Sequence, residues 1–141
     1  MRAHQRARRP TERVEYALPQ EPASAGRARR LASAFLAGSR RRKTEVDAER
    51  MDDAALIVSE LVSNALRHGR GGCRLRVEVS GARVTVEVTD ASPEHPRFQK
   101  HGMDNTERES GRGLAMVRLL THRLEVVGAH RGGKTVRAVL A

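Results

Sequence analysis

The chain has 141 residues and a net charge of +10, and apolar residues make up 38% of it. This length fits one domain, whose core must be aliphatic because the chain has no Trp, one Tyr and two Phe. The single cysteine excludes an intrachain disulfide and a cysteine-based metal cluster. No run approaches the roughly 18 to 20 apolar residues of a membrane span. We therefore expect a cytoplasmic protein without a membrane partner.

The positive charge is concentrated in the first third of the chain. Residues 1–43 contain 12 Lys or Arg and 3 Asp or Glu, whereas residues 44–141 contain 15 Lys or Arg and 14 Asp or Glu. We interpret residues 1–11 as a disordered basic tail and residues 12–141 as the single folded domain. A uniformly basic nucleic-acid-binding domain would not show this distribution. A small basic nucleic-acid-binding protein remains an alternative because of the tail, but direct nucleic-acid binding is not our first expectation.

The first half of the domain is predicted to be mainly helical. Alternating polar and apolar side chains predict an edge strand over residues 13–18. Apolar residues at helical spacing then predict one helix over residues 24–41 and a second over residues 44–68. Thr44 is the expected N-cap of the second helix, and Gly69 is its expected C-cap.

The second half is predicted to be mainly strands. Strict alternation predicts strands over residues 74–79 and 83–88, joined as an antiparallel hairpin, and a long polar loop over about 91–112. The remaining predicted elements are a helix over residues 114–122 and strands over residues 124–128 and 135–140. This order predicts an α/β fold, more closely an α+β two-layer sandwich, with a mixed, mainly antiparallel sheet and three helices on one face.

Polar side chains form a stripe on the second predicted helix. Glu60, Asn64 and His68 are spaced by four residues, so they project from the same side. An amide oxygen such as that of Asn64 suits Mg²⁺, and a carboxylate one turn earlier is placed to accept a proton. An ordinary solvated helix face is the alternative interpretation.

Two further positions suggest a nucleotide. Asp90 ends an aliphatic strand, where its carboxylate can accept a hydrogen bond from an exocyclic amine such as that of adenine. Gly111 and Gly113 flank Arg112 directly before the helix predicted from Leu114, where backbone N–H groups can approach a polyphosphate. Taken singly, a turn residue and an ordinary glycine turn are the simpler interpretations.

The combined order of these signals resembles a known family. Glu60-x3-Asn64 on a helix, Asp90 at a strand end, a loop and Gly111-x-Gly113 resemble the Bergerat-fold (GHKL) ATP-binding domains. Within that superfamily, the string E-L-V-S-N-A-L-R-H-G at residues 60–69 is similar to the anti-sigma factor serine/threonine kinases of actinobacteria and other Gram-positive bacteria. The resemblance extends over about residues 14–140.

The resemblance implies roles around a bound triphosphate. It implies that Asn64 holds Mg²⁺ against the phosphates and that Glu60 is the general base. It also implies that Gly111 and Gly113 lie under the phosphates with Arg112 nearby. His68 occupies a position where these kinases often carry histidine. The resemblance makes the polar loop an ATP lid, and ATP and Mg²⁺ are the expected cofactors.

The resemblance also assigns the base end of the site. It implies that Asp90 binds the adenine amine and that Thr135 supports this contact. The chain departs from the superfamily pattern D-x-G-x-G, because it reads Asp90-Ala91-Ser92-Pro93-Glu94. The glycine that usually contacts the nucleotide is missing, so we expect a lowered nucleotide affinity.

The resemblance implies a role in partner switching. The expected activity is phosphorylation of an anti-anti-sigma protein, and the expected second partner is a sigma factor. A homodimer through the first strand and helix is a further expectation. An ATP-binding regulatory module without kinase activity is the leading alternative.

Overall fold

The computed structural model describes residues 11–41, 46–68, 71–92, 105–128 and 132–141, with the backbone alone for residues 40–41 and 105–112. Residues 1–10 of the predicted tail, the predicted caps Thr44 and Gly69, and residues 93–104 of the predicted lid lie outside this set. The elements, in chain order, are β1 (Thr11–Leu18), α1 (Ser24–Arg41), α2 (Ala48–His68), β2 (Cys73–Ser80), β3 (Arg83–Asp90), α3 (Asn105–Leu120), β4 (Arg123–Gly128) and β5 (Lys134–Leu140).

The five strands form one open sheet in the order β1-β2-β3-β5-β4. All four pairings are antiparallel. Burial alternates along β2, β3 and β5, so one face of the sheet packs against the helices and the other is more open. The predicted α+β two-layer sandwich is thus confirmed, with an antiparallel sheet throughout the described strands.

The core lies between the sheet and α2. Side chains of α2 such as Ile57, Val58 and Leu61 are almost completely buried, and they meet the inward row of β2 and β3. The core is aliphatic, as composition requires, and α1 packs alongside α2. Among the described helices, none is long and apolar enough to cross a membrane.

The start of α2 differs from the sequence prediction. The helix begins at Ala48 rather than at Thr44, and the Asp47 carboxylate accepts a hydrogen bond from the backbone N–H of Arg50 at 2.8 Å. This is the geometry of an N-cap, and aspartate is among the strongest N-cap residues. The prediction of a start at Thr44 was wrong because Asp47 was assigned a place inside the first turn.

The start of α3 also differs. The helix begins at Asn105, nine residues before the predicted start at Leu114, so Gly111 and Gly113 lie inside it rather than before it. The added turns are rich in polar residues, which show no apolar periodicity, although glutamate is a good helix former. In this conformation the free N–H groups of the helix belong to residues 105–108, not to the glycines.

Candidate functional site

The candidate site lies at one end of the sheet. Leu18, Cys73, Asp90 and Lys134 are successive cross-strand partners there, and all four are buried. Only residues 69–72 separate the end of α2 from the start of β2. The last turns of α2 therefore lie at the same end of the sheet as Asp90.

Glu60 on α2 meets Gly113 on α3. A Cβ atom added to Gly113 would lie 1.9 Å from Oε1 of Glu60 and 2.7 Å from its Cδ. The carboxylate thus rests on the bare Cα of the glycine, a place that any side chain would fill. Glu60 is half-buried and forms no ion pair or hydrogen bond with another described residue. The structure therefore brings together two of the predicted site residues and leaves the carboxylate available.

Asn64 lies one turn after Glu60, toward the end of the sheet that carries Asp90. Its exposed fraction is 5%, yet within the described ranges its side-chain amide has no hydrogen-bond partner. The amide atoms are not among the fully buried, unpaired side-chain atoms of the described residues, so the amide keeps some exposed surface through which a ligand or water can reach it. His68, the third member of the stripe, is exposed at the end of α2. The stripe thus runs from the Glu60–Gly113 contact to solvent.

Asp90 is held by a buried ion pair. The Lys134 ammonium donates to Oδ1 at 3.0 Å and to Oδ2 at 2.9 Å, and its third contact is the carbonyl oxygen of Ser92 at 3.4 Å. The backbone N–H of Ser92 donates to Oδ1 at 2.7 Å. The side chains of Asp90 and Lys134 are each 2% exposed. The carboxylate predicted to meet adenine therefore already has a cationic partner.

The pKa of Cys73 reflects the burial and the negative charge at this end of the sheet. It lies beside Asp90 as its partner on β2. Burial, with a contribution from the negative charge of Asp90, raises the pKa of the Cys73 thiol to about 11. The thiol is therefore protonated and unreactive at neutral pH.

Gly133, Lys134 and Thr135, at the start of β5, make three different contacts. The Thr135 hydroxyl is 2.7 Å from that of Thr89, on the open face of the sheet, so it is not brought to Asp90. Lys134 takes the inward position instead. Gly133 packs directly on the Asp90 backbone, because a Cβ atom there would lie 2.2 Å from the Asp90 carbonyl oxygen. This contact fixes the backbone before Lys134.

The open face of the sheet is a different surface. Arg137 pairs there with Glu87 and with Glu125, and Arg76 lies 3.8 Å from Glu87. The hydrogen bond to Glu87 raises the pKa of the Arg137 guanidinium. Most of these charges are paired, although the buried Nε atom of Arg76 has no partner among the described residues, and the group lies on the opposite side of the sheet from Asp90. They form no part of the candidate site.

Of the remaining predicted site residues, Gly111 and Arg112 lie in α3, where the backbone alone is described. Sequence reasoning missed Lys134 and Gly133. The signal for Lys134 was present, since counting back by two from Leu140 along the alternating strand places residue 134 on the inward face. Its strand was predicted to begin one residue later, so the lysine was not considered.

The comparisons with known proteins agree with this fold. Residues 18–140 match the family described as the histidine kinase-like ATPase domain. No curated protein sequence matches the chain.

Two solved structures are similar to this chain in fold. One contains the RsbU and RsbW domains of Rv1364c from Mycobacterium tuberculosis, with a TM-score of 0.66, 21% identity, and coverage of 93% of this chain and 32% of that chain. The other is the SiaB–SiaC complex from Pseudomonas aeruginosa, with a TM-score of 0.60, 12% identity, and coverage of 99% and 95%. The chain thus spans about a third of the length of the mycobacterial protein chain. Because the family match extends over most of the sequence, the chain belongs to the histidine kinase-like ATPase domain family.

Proposed function

We propose that this domain is a Mg-ATP-binding anti-sigma regulatory factor with serine/threonine kinase activity toward an anti-anti-sigma partner. The observation that carries the proposal is the half-buried Glu60 carboxylate, which rests on Gly113 without an ion pair among the described residues. The family match supports ATP binding, and the likeness of residues 60–69 to anti-sigma factor kinases supports the proposed class.

The residues present fit the phosphate and metal part of such a ligand. The amide of Asn64, which has no hydrogen-bond partner among the described residues, offers a hard oxygen. Mg²⁺ needs few protein oxygens because phosphates and waters complete its shell. Such an ion would neutralise charge on the phosphates. The missing side chain of Gly113 leaves space beside Glu60, and Arg112 would add positive charge near the phosphates. His68, at the exposed end of the same stripe, would line the entrance.

The chemistry proposed for Glu60 is proton acceptance. As the seryl Oγ of the partner forms its bond to the γ-phosphorus, the bond from that phosphorus to the ADP oxygen breaks, and the hydroxyl proton passes to the Glu60 carboxylate. The remaining residues position the groups and stabilise charge, which is most of what phosphoryl transfer requires. Asp90 would bind the base, and Thr135, which faces the other side of the sheet, has no part in that contact.

The proposed regulation follows from added charge. A phosphoserine brings about 1.5 to 2 negative charges into a packed interface at pH 7. That charge would weaken the complex with the anti-anti-sigma protein and free the domain to sequester its sigma factor. A homodimer would present two such sites.

Phosphotransfer from γ-labelled ATP tests the proposal. The purified protein is incubated with Mg²⁺ and each anti-anti-sigma protein encoded in the same genome, and nucleotide binding is measured in parallel. We expect Glu60→Gln to bind ATP and to lower transfer at least 100-fold, in the range typical of a lost general base. Glu49→Gln, an exposed glutamate in the first turn of the same helix, is the matched control and should transfer normally.

The outcomes separate the two leading functions. If the wild type binds ATP but transfers phosphate to no partner, the kinase proposal is replaced by the alternative, a regulatory module that nucleotide switches. Absence of ATP binding would refute the proposal altogether.

A further inference from the structure

Lys134 lies where the proposed nucleotide site should recognise a base, and the proposed function gives it no role. It begins β5 opposite Asp90, faces the helices, and has an exposed side-chain fraction of 2%. Its backbone is fixed by the close packing of Gly133 on Asp90. Access of a base to Asp90 therefore depends on the side chain of Lys134.

The ammonium group uses nearly all the hydrogen-bonding capacity of Asp90. A carboxylate has about four acceptor positions, and here Lys134 takes one on each oxygen while the Ser92 N–H takes another on Oδ1. The remaining position belongs to a side chain with almost no exposed surface. An exocyclic amine cannot reach it while the lysine stays in place.

The donor pattern also disfavours an amine. An ammonium is a donor only, and an adenine amine also donates through its two hydrogens, so the two groups repel where Asp90 alone would attract. A base with a carbonyl at the same position presents an acceptor, which an ammonium group favours. Lys134 thus offsets the preference for an amine that Asp90 would have by itself.

From these contacts we propose that Lys134 is a specificity-determining residue of the base pocket, which holds Asp90 in an ion pair that an adenine amine must break. The proposal rests on the proposed function, since it concerns the same nucleotide site. It implies that the wild type binds ATP weakly and discriminates poorly between ATP and inosine triphosphate, which carries a carbonyl in place of the amine.

The test compares ATP with inosine triphosphate by calorimetric titration in the presence of Mg²⁺. Because both nucleotides have the same phosphates and ribose, their affinity ratio reports the base pocket alone. We expect a ratio within about threefold for the wild type. We expect Lys134→Thr to raise the ratio in favour of ATP at least 10-fold, the factor that corresponds to about one hydrogen bond.

A second variant of the lysine repeats the test, and a variant on the opposite face of the sheet serves as the control. Lys134→Met removes the charge but keeps most of the side-chain length, and should shift the ratio in the same direction. Arg137→Thr removes a positive charge from the same strand on the opposite face, and should leave the wild-type ratio unchanged.

The results distinguish this inference from the proposed function. Equal ratios in the wild type and in both Lys134 variants would overturn the inference while ATP binding stands. Failure of every protein to bind either nucleotide would overturn both.

A measurement on the wild type covers the case in which the Lys134 variants do not fold. The ¹⁵N signal of the Lys134 ammonium is followed by NMR as ATP is added, with circular dichroism as the check of folding. The ion pair should protect the ammonium protons from exchange in the free protein, and saturation with ATP should remove that protection. A protected signal that persists in the ATP-saturated protein would overturn the inference.

Discussion

Removing either partner of the buried pair of Asp90 and Lys134 should strongly destabilise the protein, and the effects of the two removals should be strongly coupled. Asp90→Asn leaves the Lys134 ammonium without a negative partner, and Lys134→Met leaves the Asp90 carboxylate without a positive one. In each variant the remaining charge belongs to a side chain that is only 2% exposed. Removing one partner of a buried pair costs about 3–5 kcal/mol, because the other charge remains out of water. At this chain length that is a loss of roughly 10–15 °C in Tm.

The double variant should cost much less than the sum of the single variants. With both charges gone, no unpaired ion remains, so we expect a coupling free energy of about 2 kcal/mol or more. The assay is urea unfolding followed by circular dichroism, because the chain has no tryptophan for fluorescence.

The exposed pair of Arg74 and Glu15 provides a matched control for this cycle. Its N···O distance is 3.1 Å, close to that of the buried pair, but its side chains are 65% and 47% exposed. The same cycle there should give less than about 1 kcal/mol, because water screens exposed charges. Single-variant costs that add to within about 0.5 kcal/mol at Asp90 and Lys134 would refute the reasoning.

Three other positions give sharp expectations. Gly113→Ala should leave Tm nearly unchanged, since alanine favours a helix and the clashing Glu60 carboxylate can rotate, but it should weaken phosphotransfer by displacing that carboxylate. Gly133→Ala should lower the free energy of unfolding by about 2–3 kcal/mol, because its Cβ meets the fixed backbone of Asp90. For Cys73, whose folded-state pKa is raised to about 11 from 9.0, the free energy of unfolding should fall by about 1.4 kcal/mol per pH unit between those values.

The sign of the Cys73 effect follows from proton binding. Above pH 9 the thiol of the unfolded chain loses its proton while the folded protein keeps it, so the unfolded state gains stability until the pH passes the folded-state pKa. Cys73→Ala should lack this component, and equal pH slopes in the two proteins would contradict the assignment. For the glycines, equal loss of Tm in Gly113→Ala and Gly133→Ala would contradict the contrast, and circular dichroism melting measures both.

The strands of this protein were predictable from sequence to within about two residues. Residues 74–79 and 83–88 alternate strictly. The observed strand Cys73–Ser80 extends the first pattern at both ends, and Arg83–Asp90 extends the second at its C-terminal end. The first helix was predicted with its observed bounds because its apolar residues recur at helical spacing. Where side chains are polar throughout, as at the start of α3, periodicity carries no information and the boundary was missed.

Sequence alone also determined which polar residues share a helix face. The four-residue spacing of Glu60 and Asn64 follows from helix geometry and needs no tertiary information. The meeting of Glu60 with Gly113 and the pairing of Asp90 with Lys134 were decided by the tertiary structure. Each joins residues more than forty positions apart, through the packing of α2 on α3 or the register of β3 on β5. Periodicity is a local property of the backbone, whereas register and helix packing come from burying the whole apolar face at once, which is why only the folded chain shows that a lysine holds the carboxylate expected for adenine.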